Sequence, residues 1–392
     1  MSPIRTARRA YQAGVSLIEL MVALAIGVVL LLGLVEIFGA SRAAFATAEG
    51  MSRVQENGRF AVDHLRRDLR LAGHLGCQNE RVYLGAAALI NHSVNPPTNV
   101  AAAPFALRAD MPIIGFEYLG TAPGQVFDMS GGAVTGVGPG NFNPPLDPAL
   151  GDLAADAIRG SDVLVVRYFS GESVEASVNA DTDVLEIPNP DDVGFVQAQQ
   201  MYGISNCGSA SLFQSLGSGA ASNVGAGGLN AVGFKDPAEN VYSGPGTRLY
   251  RYEFAVYYVG RDGASGIPSL RTRRFDPGRA GFVSAPQTLV EGVDSMQLVY
   301  GADAGPTRDE VMDVYVTAQD VAGLDVNQQA AWSRVLNARV GLLMSSPNPA
   351  ASVRDDNSPP YRVADTVINV AGDGRVRQTY ETVITARNRV RN

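Results

Sequence analysis

Glu19 is the residue whose type and position most demand an explanation. It is the only charged residue in the apolar run from Val15 to Val35, and Gly14 stands directly ahead of that run. The run is about the 20 residues needed to cross a bilayer. A carboxylate placed inside it costs on the order of 3 kcal/mol by insertion scales and calls for a partner. Other residues able to do chemistry are sparse. Cys77 and Cys207 are the only cysteines, an even count that suits a disulfide outside the cytoplasm. Such a bridge would close a loop of about 130 residues and contribute about 5 kcal/mol less any strain; two thiols buried as small hydrophobes are the alternative. His64, His74 and His92 fall outside C-x-x-C or H-E-x-x-H spacing, so no zinc site is readable. Asp303, Asp309, Glu310 and Asp313 surround Gly305. They lack the order of a calcium loop, so a solvated acidic turn is expected. With no G-x-S-x-G or Walker A segment either, the expectation is a non-enzyme without cofactor or metal.

The elements that position these residues follow from composition and periodicity. At 392 residues, with 43 glycines, 22 prolines and a formal charge of -8, the chain can bury a sizeable, turn-rich core, and it lacks the basic surface that coats nucleic acid. No proline interrupts Val15 to Leu71. Beyond the apolar run Phe45, Val54, Ala61, Val62, Leu65 and Leu69 recur at helical spacing, with arginines and acids between them. The pattern predicts one helix of roughly 80 Å at 1.5 Å per residue, apolar first and amphipathic afterwards. Gly27, Gly33, Gly39, Gly50 and Gly58 are places where it could bend, and Gly73 and Gly76 should end it. Alternation predicts strands at Asp162–Phe169, Asp183–Ile187, Arg248–Gly260, Ser269–Phe275, Thr288–Tyr300, Asp313–Ala318, Val335–Met344 and Arg375–Arg387. Gln328–Arg334 should be a helical turn and Gly372-Asp373-Gly374 a hairpin turn. Residues 78–158 show few periodic runs, and 203–247 read as a loop-rich surface excursion. A long helix followed by an antiparallel sheet is an α+β arrangement.

Met1 to Gly14 holds Arg5, Arg8 and Arg9 and no acid, which places this end in the cytoplasm and everything after about Phe38 across the membrane. A secretory signal cleaved at Ala46-Thr47-Ala48 would have to carry Glu19 and Glu36 beside its apolar core, which such signals avoid. A plain single-pass anchor accounts for the run but not for Gly14 and Glu19.

Gly14-Val15-Ser16-Leu17-Ile18-Glu19-Leu20-Met21-Val22-Ala23 resembles the type IV prepilin signal, although Val15 stands where that family most often has phenylalanine. The resemblance implies cleavage between Gly14 and Val15 by prepilin peptidase, methylation of the Val15 amine, and Glu19 as an assembly contact with such an amine. Val54-Gln55-Glu56-Asn57-Gly58-Arg59-Phe60-Ala61, Arg66 to Gly73, and Gly76-Cys77 are similar to the PilW family of minor pilins. So are Gly160 to Arg167, Leu289 to Gln297, Val314 to Ala318 and Tyr380 to Ile384. The implied organisation is a leader at 1–14, a helix at 15–72 with its membrane segment at about 15–38, and a head at 73–392. The implied protein is a structural minor pilin that primes assembly near the fibre tip and supports twitching and adhesion. Its partners would be prepilin peptidase, other minor pilins and the major pilin, the inner-membrane assembly platform, a tip adhesin and the inner membrane, with no nucleic acid. It would wait in the inner membrane with a periplasmic head and end in an extracellular pilus. A type II secretion pseudopilin of the J type and a membrane-anchored periplasmic binding protein or enzyme are the alternatives.

Overall fold

The computed structural model describes residues 14–77, 88–131, 137–206, 208–234, 242–261, 266–306, 308–349 and 360–389. A single α-helix, Leu17–Leu71, runs unbroken through all five glycines named above. Its inner half has a narrow buried stripe, Val54, Gly58, Ala61, Leu65, Asp68 and Leu69, which is the three- and four-residue spacing of one helix face. Gly58 is part of that stripe because Tyr380 packs flat on it: a Cβ there would come within 2.5 Å of the ring. The glycine thus has a packing reason, and the helix continues through it without interruption.

The head is mostly β, in several sheets. Arg248–Arg261 is the centre of a nine-stranded sheet. Val163–Glu175 pairs along one edge. On the other edge Met201–Ser205 takes the first part and Pro268–Arg274 the last. Ile113–Tyr118 then extends the sheet beyond Val163–Glu175, so a segment that the sequence left without periodicity lies inside it. Its residues are buried throughout, and a strand covered on both faces shows no alternation. The same covering hides the expected one-sided alternation of Arg248–Arg261, whose residues Phe254 to Gly260 are all buried.

A second, four-stranded antiparallel sheet has the order Val314–Val316, Val293–Ala302, Val335–Ser345, Arg377–Thr385. The one strand expected at Thr288–Tyr300 is two, Gln287–Glu291 in the first sheet and Val293–Ala302 in the second. Gly292 makes the switch at φ 77°, where a Cβ would lie 2.2 Å from the Ser345 carbonyl oxygen. Only glycine satisfies both the left-handed backbone and that approach.

Two further readings differ from the structure. Met201–Ser205, Ser209–Gln214 and Ala221–Asn223 are strands within the stretch expected as a surface excursion, and Tyr202, Phe213, Phe234 and Tyr242 are buried in a core of their own. Gly372 to Gly374 is not a hairpin turn: Thr366–Val370 pairs in parallel with Val126–Met129, whereas Arg377–Thr385 pairs with Val335–Ser345. The sheets are therefore antiparallel with parallel exceptions, Ala88–Asn91 beside Ser209–Gln214 being the other. Asp262 and Gly263, which follow Arg248–Arg261, and the leader's arginines lie outside the described residues.

Candidate functional site

Gly14 and Val15 precede the helix and are exposed. Ser16 caps it: its Oγ accepts from the Glu19 amide at 3.2 Å, and the Ser16 amide donates to Glu19 Oε2 at 3.0 Å. This reciprocal capping box satisfies two amides that the first helical turn leaves without partners. It also holds the carboxylate next to the Val15–Ser16 peptide. Ser16 was not singled out by sequence, although Ser-x-x-Glu before an apolar run is the signal of such a box. From Leu17 to Phe38 the large side chains project outward on every side of the helix, and the most apolar window has a mean hydropathy of 2.8 with none of it buried in the protein. By length and composition this segment can cross a membrane.

The far end of the helix is seated by a buried polar cluster. Asp68 accepts from the Tyr257 hydroxyl and from Arg274 Nη1 at 3.0 Å. His64 meets the Tyr257 ring edge-on at 5.9 Å. Burial, then the Asp68 charge, pushes the Tyr257 hydroxyl well above its ordinary range. Burial alone would lower Arg274, but the Tyr257 oxygen and Asp68 outweigh it and hold the guanidinium above its usual range. Burial lowers His64. The seat is extended by Asn57 Nδ2 on the Glu291 carbonyl at 3.1 Å and Arg66 Nη2 on Thr382 at 3.2 Å.

Two sequence blocks far apart in the chain meet where the sheets join. The Ser161 Oγ accepts from the Met296 amide at 3.1 Å, and Ser295 Oγ donates to the Gly160 carbonyl at 2.8 Å. Asp162, fully buried, accepts from the Tyr118 amide at 2.9 Å and the Leu298 amide at 2.8 Å, one from each sheet. Burial raises its carboxyl well above the ordinary value, against the pull of those amides and with the neighbouring Glu117 adding to the rise. These blocks form a joint, which is a structural task.

Glu117 beside it gives the joint a pH dependence. Burial raises its carboxyl from the ordinary 4.5 to about 7; the Thr317 hydroxyl opposes this and the Asp320 charge adds to it. The folded state therefore binds the Glu117 proton more tightly than the unfolded chain. That contribution is complete below the unfolded value and is lost as pH rises through about 7. Glu117→Gln should flatten the unfolding midpoint between about pH 5 and pH 8 and stabilise the protein at the upper end, by at most about 3 kcal/mol. Thermal unfolding across that range tests this, and a slope equal to the parent's would refute it.

Cys77 is exposed and follows the helix closely, while Cys207 lies outside the described residues. Gly76 runs against Ser205, its Cβ position 2.6 Å from the serine's, so the residue before Cys77 meets the residue two positions ahead of Cys207 in the chain. The histidines are structural: His74 Nδ1 bonds the Phe169 carbonyl at 2.8 Å, and His92 is buried and stacked on Phe234 at 4.1 Å. Among the described residues no set of three or more His, Cys, Asp or Glu side chains converges as metal ligands. The acidic turn is not simply solvated. Asp303 is buried and its Oδ2 accepts the Asp309 and Glu310 amides at 2.9 Å each, while Asp313 Oδ2 takes those of Ala304 and Gly305. These carboxylates satisfy backbone amides and do not face a common centre.

No curated protein and no solved structure gives a match to the chain. Residues 9–35 match the prokaryotic N-terminal methylation motif, and residues 256–388 match the family of type IV pilus-assembly protein W. The second match takes in the last part of the central strand, the Gly292 switch and the four-stranded sheet. The Leu289, Val314 and Tyr380 blocks fall inside it; the Val54 and Gly160 blocks precede it. With the methylation motif opening a long apolar helix and the PilW match lying in the last part of the β head on which that helix is seated, the two matches are consistent with a PilW-family type IV pilin.

Proposed function

We propose that this pilin is a minor subunit of a type IV pilus, non-enzymatic, cut between Gly14 and Val15 by prepilin peptidase and methylated on the Val15 amine. The observation that carries the reading is the motif at 9–35 placed on a helix whose outer half is bare apolar surface and whose inner half is docked on the head. Before assembly, residues of about 15–38 hold the protein in the inner membrane, with the arginine-bearing leader cytoplasmic and the head at 73–392 periplasmic. On assembly the apolar half leaves lipid and packs among helices of other minor pilins and the major pilin, exchanging one low-dielectric surrounding for another. The assembly platform drives that transfer. In the fibre the protein primes growth near the tip, where an adhesin can join it, and so supports twitching and adhesion. The match at 256–388 favours this over a J-type secretion pseudopilin. Glu19, held at the helix start, pairs with a methylated amine, its own or a neighbour's, because either charge alone is costly in lipid. A Cys77–Cys207 bridge ties the helix end to the central sheet, as the Gly76–Ser205 approach supports.

Intact mass tests both covalent claims. Coexpression with prepilin peptidase should remove residues 1–14 and add one methyl group, and alkylation without reduction should add nothing. An uncut chain would return the protein to the plain-anchor reading, and an alkylated one would remove the disulfide.

A further inference from the structure

Among the described residues, the four-stranded sheet has one side on which no further strand pairs. Arg377–Thr385 at one end lies under the long helix, with Arg66 and Asn388 bridging the two. Val314–Val316 at the other end pairs only with Val293–Ala302 among the described residues. The chain leading into it, Val311 to Asp313, has no turn or helix, and Val311, Met312, Asp313, Val314 and Tyr315 are all exposed, Val311 at 58%. Edge strands carry outward N–H and C=O groups that template another strand, and natural proteins guard them with lysine, proline, a bulge or a cover. This edge has neither lysine nor proline, and the carboxylate of Asp313 is turned to the amides of its own loop. The Val311 amide is taken by Asp309 Oδ1 and the Asp313 amide by the Ala302 carbonyl, at 3.0 Å each; the outer side of Val314–Val316 pairs with no strand among the described residues and is matched by an extended strand, whose hydrogen bonds give affinity and whose alternate side chains give specificity.

Charge selects the occupant. Asp309 and Glu310 stand directly ahead of the run and Asp313 lies within it, and its nearest arginine, Arg308, is drawn inward onto Ser333 at 3.0 Å. A second copy pairing antiparallel would set this acidic border against itself, which is unfavourable across strands. We propose that Val311–Val316 accepts an extended strand with lysine or arginine flanks from a neighbouring subunit of the fibre. That the neighbour is a pilus subunit rests on the function proposed above.

The test uses the full chain in detergent and two synthetic peptides of alternating valine and threonine, one flanked by lysines and one by glutamates. The lysine-flanked peptide should bind saturably and the glutamate-flanked one should not. Val314→Lys, or Val311→Lys if the first variant fails to fold, should weaken binding at least about tenfold. Leu119→Lys, at an exposed apolar residue elsewhere on the head, should leave it unchanged. Equal binding of both peptides, unaltered binding by the edge variants, or equal loss in Leu119→Lys overturns the proposal. Cleavage at Gly14 is scored separately in cells. A chain that is cut but does not take the peptide sinks the edge alone; one that takes the peptide but is never cut sinks the pilus reading alone.

Discussion

Glu19→Ala is expected to leave cleavage after Gly14 intact and to reduce surface pili at least tenfold. An amine left in lipid without its carboxylate costs on the order of 3 kcal/mol, and about 1.4 kcal/mol is a factor of ten in an equilibrium. The capping box adds a second possible role for the same side chain, because Glu19 also satisfies the Ser16 amide. Glu19→Gln separates the two. Glutamine serves at this position of a capping box but carries no charge. If the carboxylate pairs with an amine, Gln fails in assembly as Ala does; if it only caps the helix, Gln assembles normally. Ser16→Ala provides the complement, losing about 1 kcal/mol of cap while keeping the charge. Counting pili by electron microscopy, with mature-chain mass as the processing control, decides between the roles. Parent-like pilus numbers in Glu19→Gln would end the pairing proposal.

Asp68→Ala is expected to give the largest loss of stability. It leaves the Arg274 guanidinium and the Tyr257 hydroxyl facing an empty place at the helix seat. Breaking a buried, hydrogen-bonded ion pair by removing one partner costs about 3–5 kcal/mol. For a domain of this size that corresponds to a fall of roughly 10 °C in the unfolding midpoint. Asp68→Asn keeps an acceptor for Tyr257 and should lose less. Circular dichroism melts of the full chain in detergent measure both, and a midpoint within about 2 °C of the parent for Asp68→Ala would show that the apolar stripe alone holds the helix. The functional consequence follows from the same geometry. The apolar outer half of the helix is the part proposed to enter the fibre, and the Asp68 seat is what couples it to the head.

Much of this architecture can be read from residue order because its determinants are local. The helix from Leu17 to Leu71 follows from apolar spacing and from the absence of proline. Arg248–Arg261, Pro268–Arg274, Val335–Ser345 and Arg377–Thr385 lie within a residue or two of where alternation and turns place them. The Gly14, Val15 and Glu19 set is legible for a related reason: one charge in an uncharged run needs no knowledge of what surrounds it. Ser16 is equally legible, as the start of Ser-x-x-Glu before an apolar run.

What tertiary structure decided depends on contacts between distant residues. Ile113–Tyr118 has no alternation because both its faces are covered, a fact set by its neighbours in the sheet. Gly292 divides one apparent strand between two sheets because the Ser345 carbonyl approaches it from another part of the chain. Asp68 and Asp162 read as surface charges in any window of sequence. They become the helix seat and the sheet joint only when Tyr257 and Arg274, or Tyr118 and Leu298, close over them. The sequence by itself determined the long apolar helix that can cross a membrane, the motif ahead of it and the strand-rich head, since these follow from periodicity and from the cost of charge in lipid. Only the folded chain decided which charges are buried and which strands pair, because burial and pairing are properties of residues brought together across hundreds of positions.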